Sequence, residues 1–126
     1  MKIARLLIVD DHEVFRRGLR SLLEPFSEWQ ICGEAVDGMD AVEKCRLLKP
    51  DIVVMDITMP QLNGLEATKL IRKERPATQI VIITQHDSSQ IRAAALQAGA
   101  ASFVTKSTVG SELVAAIKGI VKNVGE

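Results

Sequence analysis

The chain has no tyrosine, one tryptophan (Trp29) and three phenylalanines (Phe15, Phe26, Phe103), so aromatic residues make up 3% of its 126 residues. That scarcity argues against a platform on which nucleic-acid bases stack. Net charge is missing as well. Sixteen Lys and Arg offset sixteen Asp and Glu, so no global field draws the chain to nucleic acid or to an anionic membrane. Cysteine is limited to Cys32 and Cys45, which have no metal-ligand spacing and no framework to staple. They read as reduced, structural thiols of a cytosolic protein. No apolar run approaches the ~18 residues that span a bilayer. Met1-Lys2 leads straight into a strand pattern rather than a signal peptide. These absences predict a soluble cytoplasmic protein with no membrane partner, and the length suits one domain over residues 1–126.

What is present is a set of short apolar runs, each ending in a reactive polar residue. Ala4–Val9 runs into Asp10 and Asp11, Ile52–Met55 into Asp56, Ile80–Ile83 into Thr84, and Ala101–Thr105 into Lys106. The first run lacks period-two alternation, as expected of a strand buried on both faces of a parallel sheet. Parallel strands would bring these five polar residues out at one sheet edge, where open α/β folds hold their ligands.

Helical patterns separate the runs. Val14, Phe15, Leu19, Leu22 and Leu23 recur at helical spacing before Pro25. Gln30–Val36 reads as a strand with Gly38 marking the turn after it, and Met39–Leu48 as a helix stopped before Pro50. An irregular loop over Ile57–Gly64 precedes a helix over Leu65–Arg75, and strand four begins near Gln79. Ser88–Ala98 is an alanine-rich helix with Gly99 placed to end it. A fifth strand and a last helix carrying Leu113, Val114, Ile117 and Val121 complete the chain. Strict alternation predicts an α/β fold with a doubly wound, five-stranded parallel sheet and right-handed crossovers. For Asp10, Asp11, Asp56, Thr84 and Lys106 to meet, the strand order must be the flavodoxin-like 2-1-3-4-5, a (β/α)5 arrangement.

Taken singly, each of these residues has a plain explanation. An Asp-Asp pair at a strand end is often solvated turn chemistry, Phe103 alone is core filler, and Pro60 and Gly64 alone mark a loop. Their joint occurrence at strand ends, in order, points to a site. Two carboxylates ~4 Å apart repel by about 4 kcal/mol at an effective dielectric near 20. A cation joining Asp10, Asp11 and Asp56 would relieve that repulsion. An oxygen-only donor set favours Mg2+, with Mn2+ as a substitute.

These residues carry a resemblance. Leu7-Ile8-Val9-Asp10-Asp11-His12 resembles the first strand of bacterial response-regulator receiver (CheY-like) domains. Asp56-Ile57-Thr58-Met59-Pro60-Gln61-Leu62-Asn63-Gly64 is similar to the family's phosphoacceptor segment, and Ile83-Thr84 and Phe103-Val104-Thr105-Lys106 match its later blocks. The likeness covers residues 3 to 121, and Asp11-His12-Glu13, Phe15-Arg16-Arg17-Gly18-Leu19 and Thr105-Lys106-Ser107 look most like the NarL/FixJ (LuxR-type) branch.

The resemblance implies a two-component phosphoswitch rather than an enzyme, with Asp56 accepting a phosphoryl group from a sensor histidine kinase. Asp11, Asp56 and the backbone carbonyl of Thr58 would hold Mg2+, with Asp10 acting through a water. Lys106 and Thr84 would contact the phosphoryl group, and Phe103 would turn inward when Thr84 moves. Thr58, Gln85 and His86 would form a rim that tunes how long the phosphoryl group persists. His12 begins the following helix rather than ligating metal, and the arginines of helix one border the surface where the phosphodonor docks. Phosphorylation would reshape the face of helix four, strand five and helix five, whose Ala93, Ala94, Ala95 and Ala98 also fit a buried core face, and would favour a homodimer.

The chain departs from the family at three positions. Gln85 follows Thr84 where a smaller or apolar residue is common, which would restrict access to the site. Ser107 stands where many receivers have Pro, and Phe103 lacks the hydroxyl of the more frequent Tyr. Rival classes fit less well. A nucleotide-binding module needs a phosphate-cradling loop where this chain has Asp10-Asp11-His12. A dehalogenase-type hydrolase, which also uses Asp and Mg2+, places its nucleophile in an Asp-x-Asp motif after strand one. Direct DNA binding lacks a helix-turn-helix after residue 121. The residues leave open a stand-alone receiver and the regulatory part of a transcriptional regulator whose DNA-binding output domain is absent here. The branch resemblance favours the second.

Overall fold

The four apolar runs and the segment after Pro25 become strands, and the amphipathic segments between them become helices. The computed structural model describes residues 3–59 and 62–124. In chain order the elements are β1 (Ala4–Val9), α1 (Glu13–Leu23), β2 (Trp29–Ala35), α2 (Gly38–Leu48), β3 (Ile52–Asp56), α3 (Gly64–Glu74), β4 (Gln79–Thr84), α4 (Ser89–Ala98), β5 (Ser102–Thr105) and α5 (Val109–Val124). A single 3-10 turn, Lys106–Thr108, lies between β5 and α5. All four strand pairings are parallel and the sheet order is β2-β1-β3-β4-β5, as the convergence of the strand-end residues requires.

The missing alternation in the strand sequences follows from burial on both faces. Alternate residues Leu7, Val9, Val53, Met55, Ile80 and Ile82 pack with Ala41, Val42 and Cys45 of α2, Ala67 and Ile71 of α3, and Ala95 of α4. Their neighbours Leu6, Ile8, Ile52, Val54, Val81 and Ile83 pack on the other face with Leu19 and Leu23 of α1 and Leu113 and Ile117 of α5. Within the alanine-rich α4, Ala95 and Ala98 are buried while Ala93 is exposed, so two of its alanines serve the core.

Helix starts follow local chemistry. The side chains of Asp37, Asn63 and Ser88 accept the backbone N–H of Asp40, Glu66 and Ile91, satisfying a donor the helix leaves free. Gly99, at φ 108°, ends α4 as the spacing predicts. Strand two begins one residue earlier than expected, because Trp29 pairs with Ala4 and donates its indole N–H to the Leu23 carbonyl at 3.0 Å. Gly38 is not a turn residue but the first residue of α2. A β-carbon there would lie 1.9 Å from the carbonyl oxygen of Leu62, so its lack of a side chain lets the β3–α3 loop close over the start of α2.

Candidate functional site

Asp10, Asp56, Thr84 and Lys106 lie at the carboxyl ends of four adjacent strands. Asp10 follows β1 and is 1% exposed, although an isolated carboxylate is rarely buried. One of its oxygens accepts the backbone N–H of His12 at 2.8 Å. The other, Oδ2, is buried without a hydrogen bond, and faces the Lys106 ammonium at 3.1 Å. Lys106 Nζ also stands 3.6 Å from Oδ2 of Asp56, which ends β3 and is likewise buried.

Burial pushes the Asp56 carboxyl from its ordinary 3.8 up to about 6, and the charge of Asp10 pushes the same way. Lys106 and a hydrogen bond from the Thr58 backbone pull it back without overcoming these effects, and Asp11 adds a little more repulsion. One ammonium therefore does not balance the acids gathered here. Asp10, Asp11 and His12 each offer a ligand atom within 4.8 Å of one another. Asp10 Oδ2 (held only by the Lys106 ion pair), the raised Asp56 and this acid cluster together fit a divalent cation.

A cavity of about 130 Å3 brings Asp11, Asp56 and Lys106 together with Thr58, Gln85, His86 and His12. The exposed Gln85 stands at the mouth of the acidic pocket. Thr84 is buried and its hydroxyl oxygen accepts the His86 backbone N–H at 3.1 Å, which leaves the hydroxyl proton available to another acceptor. In the sheet, Asp56 is paired with Ile83 and Thr84 with Thr105. Phe103 does not line this cavity. It lies on β5 in the core, with the Arg92 guanidinium 4.5 Å from its ring centroid and Arg92 itself paired to Asp87 at 2.8 Å. Pro60 and Gln61 of the loop after Asp56 lie outside the described residues.

Two neighbours of the site escape a reading of strand ends. His12 caps α1, and its Nδ1 sits 3.1 Å from Oδ1 of Asp11, inside the acidic cluster. Phe15, on α1, lies with its ring centroid 4.2 Å from Lys106 Nζ. The adjacency of His12 to the acid pair was a signal for the first, while nothing local marks the second.

Residues 6–118 match the family described as the response regulator receiver domain. The chain belongs to this family. Among curated relatives, this receiver is 40% identical over 115 residues to the response regulator UvrY of Escherichia coli strain K12, covering 91% of this chain and 53% of UvrY. It thus spans about half the length of the relatives it matches. Among solved structures, a two-component response regulator of the LuxR family from Aurantimonas sp. SI85-9A1 aligns with a TM-score of 0.91 and 42% identity, over 97% of this chain and 87% of that one. The signal receiver domain of NarL from Mycobacterium tuberculosis aligns with a TM-score of 0.90 and 32% identity, over 97% of this chain and 98% of its own. Among the described residues no helix is long and apolar enough to cross a membrane.

Proposed function

We propose that this receiver is a Mg2+-dependent phosphoacceptor switch in which Asp56 takes a phosphoryl group from a sensor histidine kinase. The observation that carries this reading is the buried Asp56 carboxyl lining the acidic pocket, 3.6 Å from the Lys106 ammonium and with its pKa raised to about 6. An Asp56 oxygen attacks the donor phosphorus while the donor's phosphorus–nitrogen bond breaks and its electron pair leaves with the imidazole. The product is an aspartyl phosphate. Such transfer rests on in-line positioning and on neutralising charge spread over the phosphoryl oxygens. Lys106, a compact ammonium on a flexible stem, supplies one such charge. Asp11, Asp56 and the Thr58 carbonyl would hold Mg2+, with Asp10 reaching it through a water. Bound there, Mg2+ supplies two positive charges that offset the carboxylates and the incoming phosphoryl oxygens.

The free proton of the Thr84 hydroxyl suits it to bond a phosphoryl oxygen, and Phe103 on the paired strand β5 is placed to respond. Thr58, Gln85 and His86 form the rim that governs access and water attack. The switched surface is α4, β5 and α5, with a homodimer favoured after phosphorylation. Similarity to full-length LuxR-type regulators supports placing this receiver as the regulatory part of a cytoplasmic transcriptional regulator, which would meet DNA through an output domain outside this chain. A groove of about 560 Å3, lined by Val14, Phe15, Leu19, Leu22 and Val109 and reaching Lys106, supports docking of the kinase's histidine-bearing helix on α1.

The deciding experiment is intact mass after incubation with acetyl phosphate, with and without Mg2+, on wild type and Asp56→Asn. A single phosphoryl gain that needs both Mg2+ and Asp56 is expected. No gain in wild type, together with no binding of beryllofluoride, would refute the phosphoswitch, and sustained turnover of a phosphate ester would mark a hydrolase instead.

A further inference from the structure

The ammonium of Lys106 has three N–H donors, and three partners surround it. Asp10 Oδ2 lies at 3.1 Å, Asp56 Oδ2 at 3.6 Å, and the Phe15 ring centroid at 4.2 Å. The side chain is only 12% exposed, so little water competes with these partners. A cation over an aromatic face is attracted by the negative centre of the ring, more strongly as solvent is removed. The carboxylates and the Phe15 ring are thus the close partners the structure gives this ammonium. A four-carbon stem has no rigidity of its own to hold Nζ between two acids.

Building on the phosphoacceptor reading, we propose that Phe15 is a positioning residue that holds the Lys106 ammonium at the Asp10–Asp56 pair through its ring face. In this role Phe15 acts through Lys106. It is partly buried against the α1–α5 side of the core, so α1 packing sets where the ring stands. Phe15 and Lys106 also line the 560 Å3 groove beside α1. The ring is therefore the element shared between that groove and the phosphoacceptor, and whatever fills the groove presses on the group that sets the Lys106 position.

Three variants separate this role from packing. Phe15→Leu keeps an apolar side chain and removes the ring face, Phe15→Tyr restores a ring face, and Lys106→Met removes the cation. The first readout needs no phosphoryl transfer: the NMR shifts of the Lys106 side-chain methylene protons, which a ring at this distance moves upfield. Those shifts should fall to ordinary lysine values in Phe15→Leu and be retained in Phe15→Tyr. The second readout is the rate of acetyl phosphate labelling at saturating donor. Phe15→Leu should slow it by roughly three- to thirtyfold, the weight of one cation–π contact, Phe15→Tyr should restore it, and adding Phe15→Leu to Lys106→Met should cost nothing further.

Unshifted Lys106 protons in wild type would overturn the inference. So would an equal slowing by Phe15→Leu with and without Lys106, which would reduce Phe15 to a packing residue. A wild type with shifted Lys106 protons that takes no phosphoryl group would refute the phosphoacceptor reading while leaving the Phe15–Lys106 contact established.

Discussion

The carbonyl oxygen of Asp56 lies 2.2 Å from the point where a β-carbon on Gly64 would stand, and the Gly64 N–H donates to the Ile57 carbonyl at 2.8 Å. The loop after Asp56 folds back against its own start, and only a residue without a side chain lets α3 begin there. The obstacle is backbone, which cannot step aside as a flexible side chain can. Gly64→Ala should destabilise the protein by about 1–3 kcal/mol, the usual cost of overpacking, and should slow acetyl phosphate labelling of Asp56. Gly119 in α5 is the control, because no neighbour comes within 4 Å of its β-carbon position. Gly119→Ala should stabilise by roughly 0.5–1 kcal/mol. Urea unfolding midpoints of the two variants should move in opposite directions, and a shared direction would contradict the steric account.

The raised Asp56 carboxyl makes the metal-free protein sensitive to pH. An unfolded Asp ionises near its ordinary 3.8 while the folded one holds its proton to about 6, so folding is opposed increasingly as pH rises between those values. Above about 6 the full penalty applies, about 3 kcal/mol at most by linkage. Asp56→Asn removes the charge at nearly constant volume. It should therefore raise stability in EDTA at pH 7.5, with the gain shrinking as pH falls from 6 toward 4. Paired denaturation curves at four pH values test this, and a gain that does not vary with pH would trace the effect to packing instead.

The same imbalance of charge predicts how a cation acts on the fold. Mg2+ at a hundredfold excess over its dissociation constant should stabilise wild type by about 2.7 kcal/mol, provided the unfolded chain does not bind it. Asp11→Asn and Asp56→Asn should each lose most of that increment, since each removes a carboxylate of the acidic pocket. Thermal melts with Mg2+ and with EDTA give the comparison. An increment that survives both substitutions would place the cation elsewhere on the surface.

Legibility in the sequence followed the range of the interactions. Strands β1, β3 and β4 were readable because burial on both faces demands near-continuous apolar runs, and the five strand-end residues were readable because a parallel sheet sends them to one edge. The helix end at Gly99 acts within a few residues and was equally plain, whereas Ser88, placed inside the helix by its sequence, is the N-cap of α4. Gly38 was misread as a turn because its constraint comes from Leu62, in a loop belonging to another part of the sheet. The slip in pairing between β1 and β2 at Leu6/Leu7 left no trace, since β1 is an almost unbroken apolar run with no alternation to reveal register. Phe15 over Lys106 and Arg92 over Phe103 join residues whose approach depends on how α1 and α4 settle on the sheet. Composition and spacing contain no record of that.

A second electrostatic arrangement fastens α1 beside the site and gives a prediction of opposite sign in pH. Glu34 on β2 accepts from Arg16 Nε at 2.9 Å and from Arg20 Nε at 2.8 Å. Arg16 also donates to the Asp10 backbone carbonyl at 2.8 Å, so the network links β2, α1 and the turn that carries the acid pair. Burial alone would push the Glu34 carboxyl up. The hydrogen bonds from Arg20 and Arg16 outweigh it and hold the carboxyl below its ordinary 4.5. A depressed carboxyl contributes stability above its unfolded value, and the contribution is lost as pH falls through the folded one. Glu34→Gln keeps the shape and an acceptor oxygen but removes the charge. It should cost about 1 kcal/mol at pH 7, the upper range for a partly exposed ion pair, and the difference from wild type should close as pH drops below about 4. High salt should narrow it at pH 7 as well, because a partly exposed pair is screened. Urea midpoints at pH 7, 5 and 3, with and without added salt, decide the matter: a penalty that persists at pH 3 would belong to side-chain geometry, and no penalty at pH 7 would mean the arginines hold α1 without this charge.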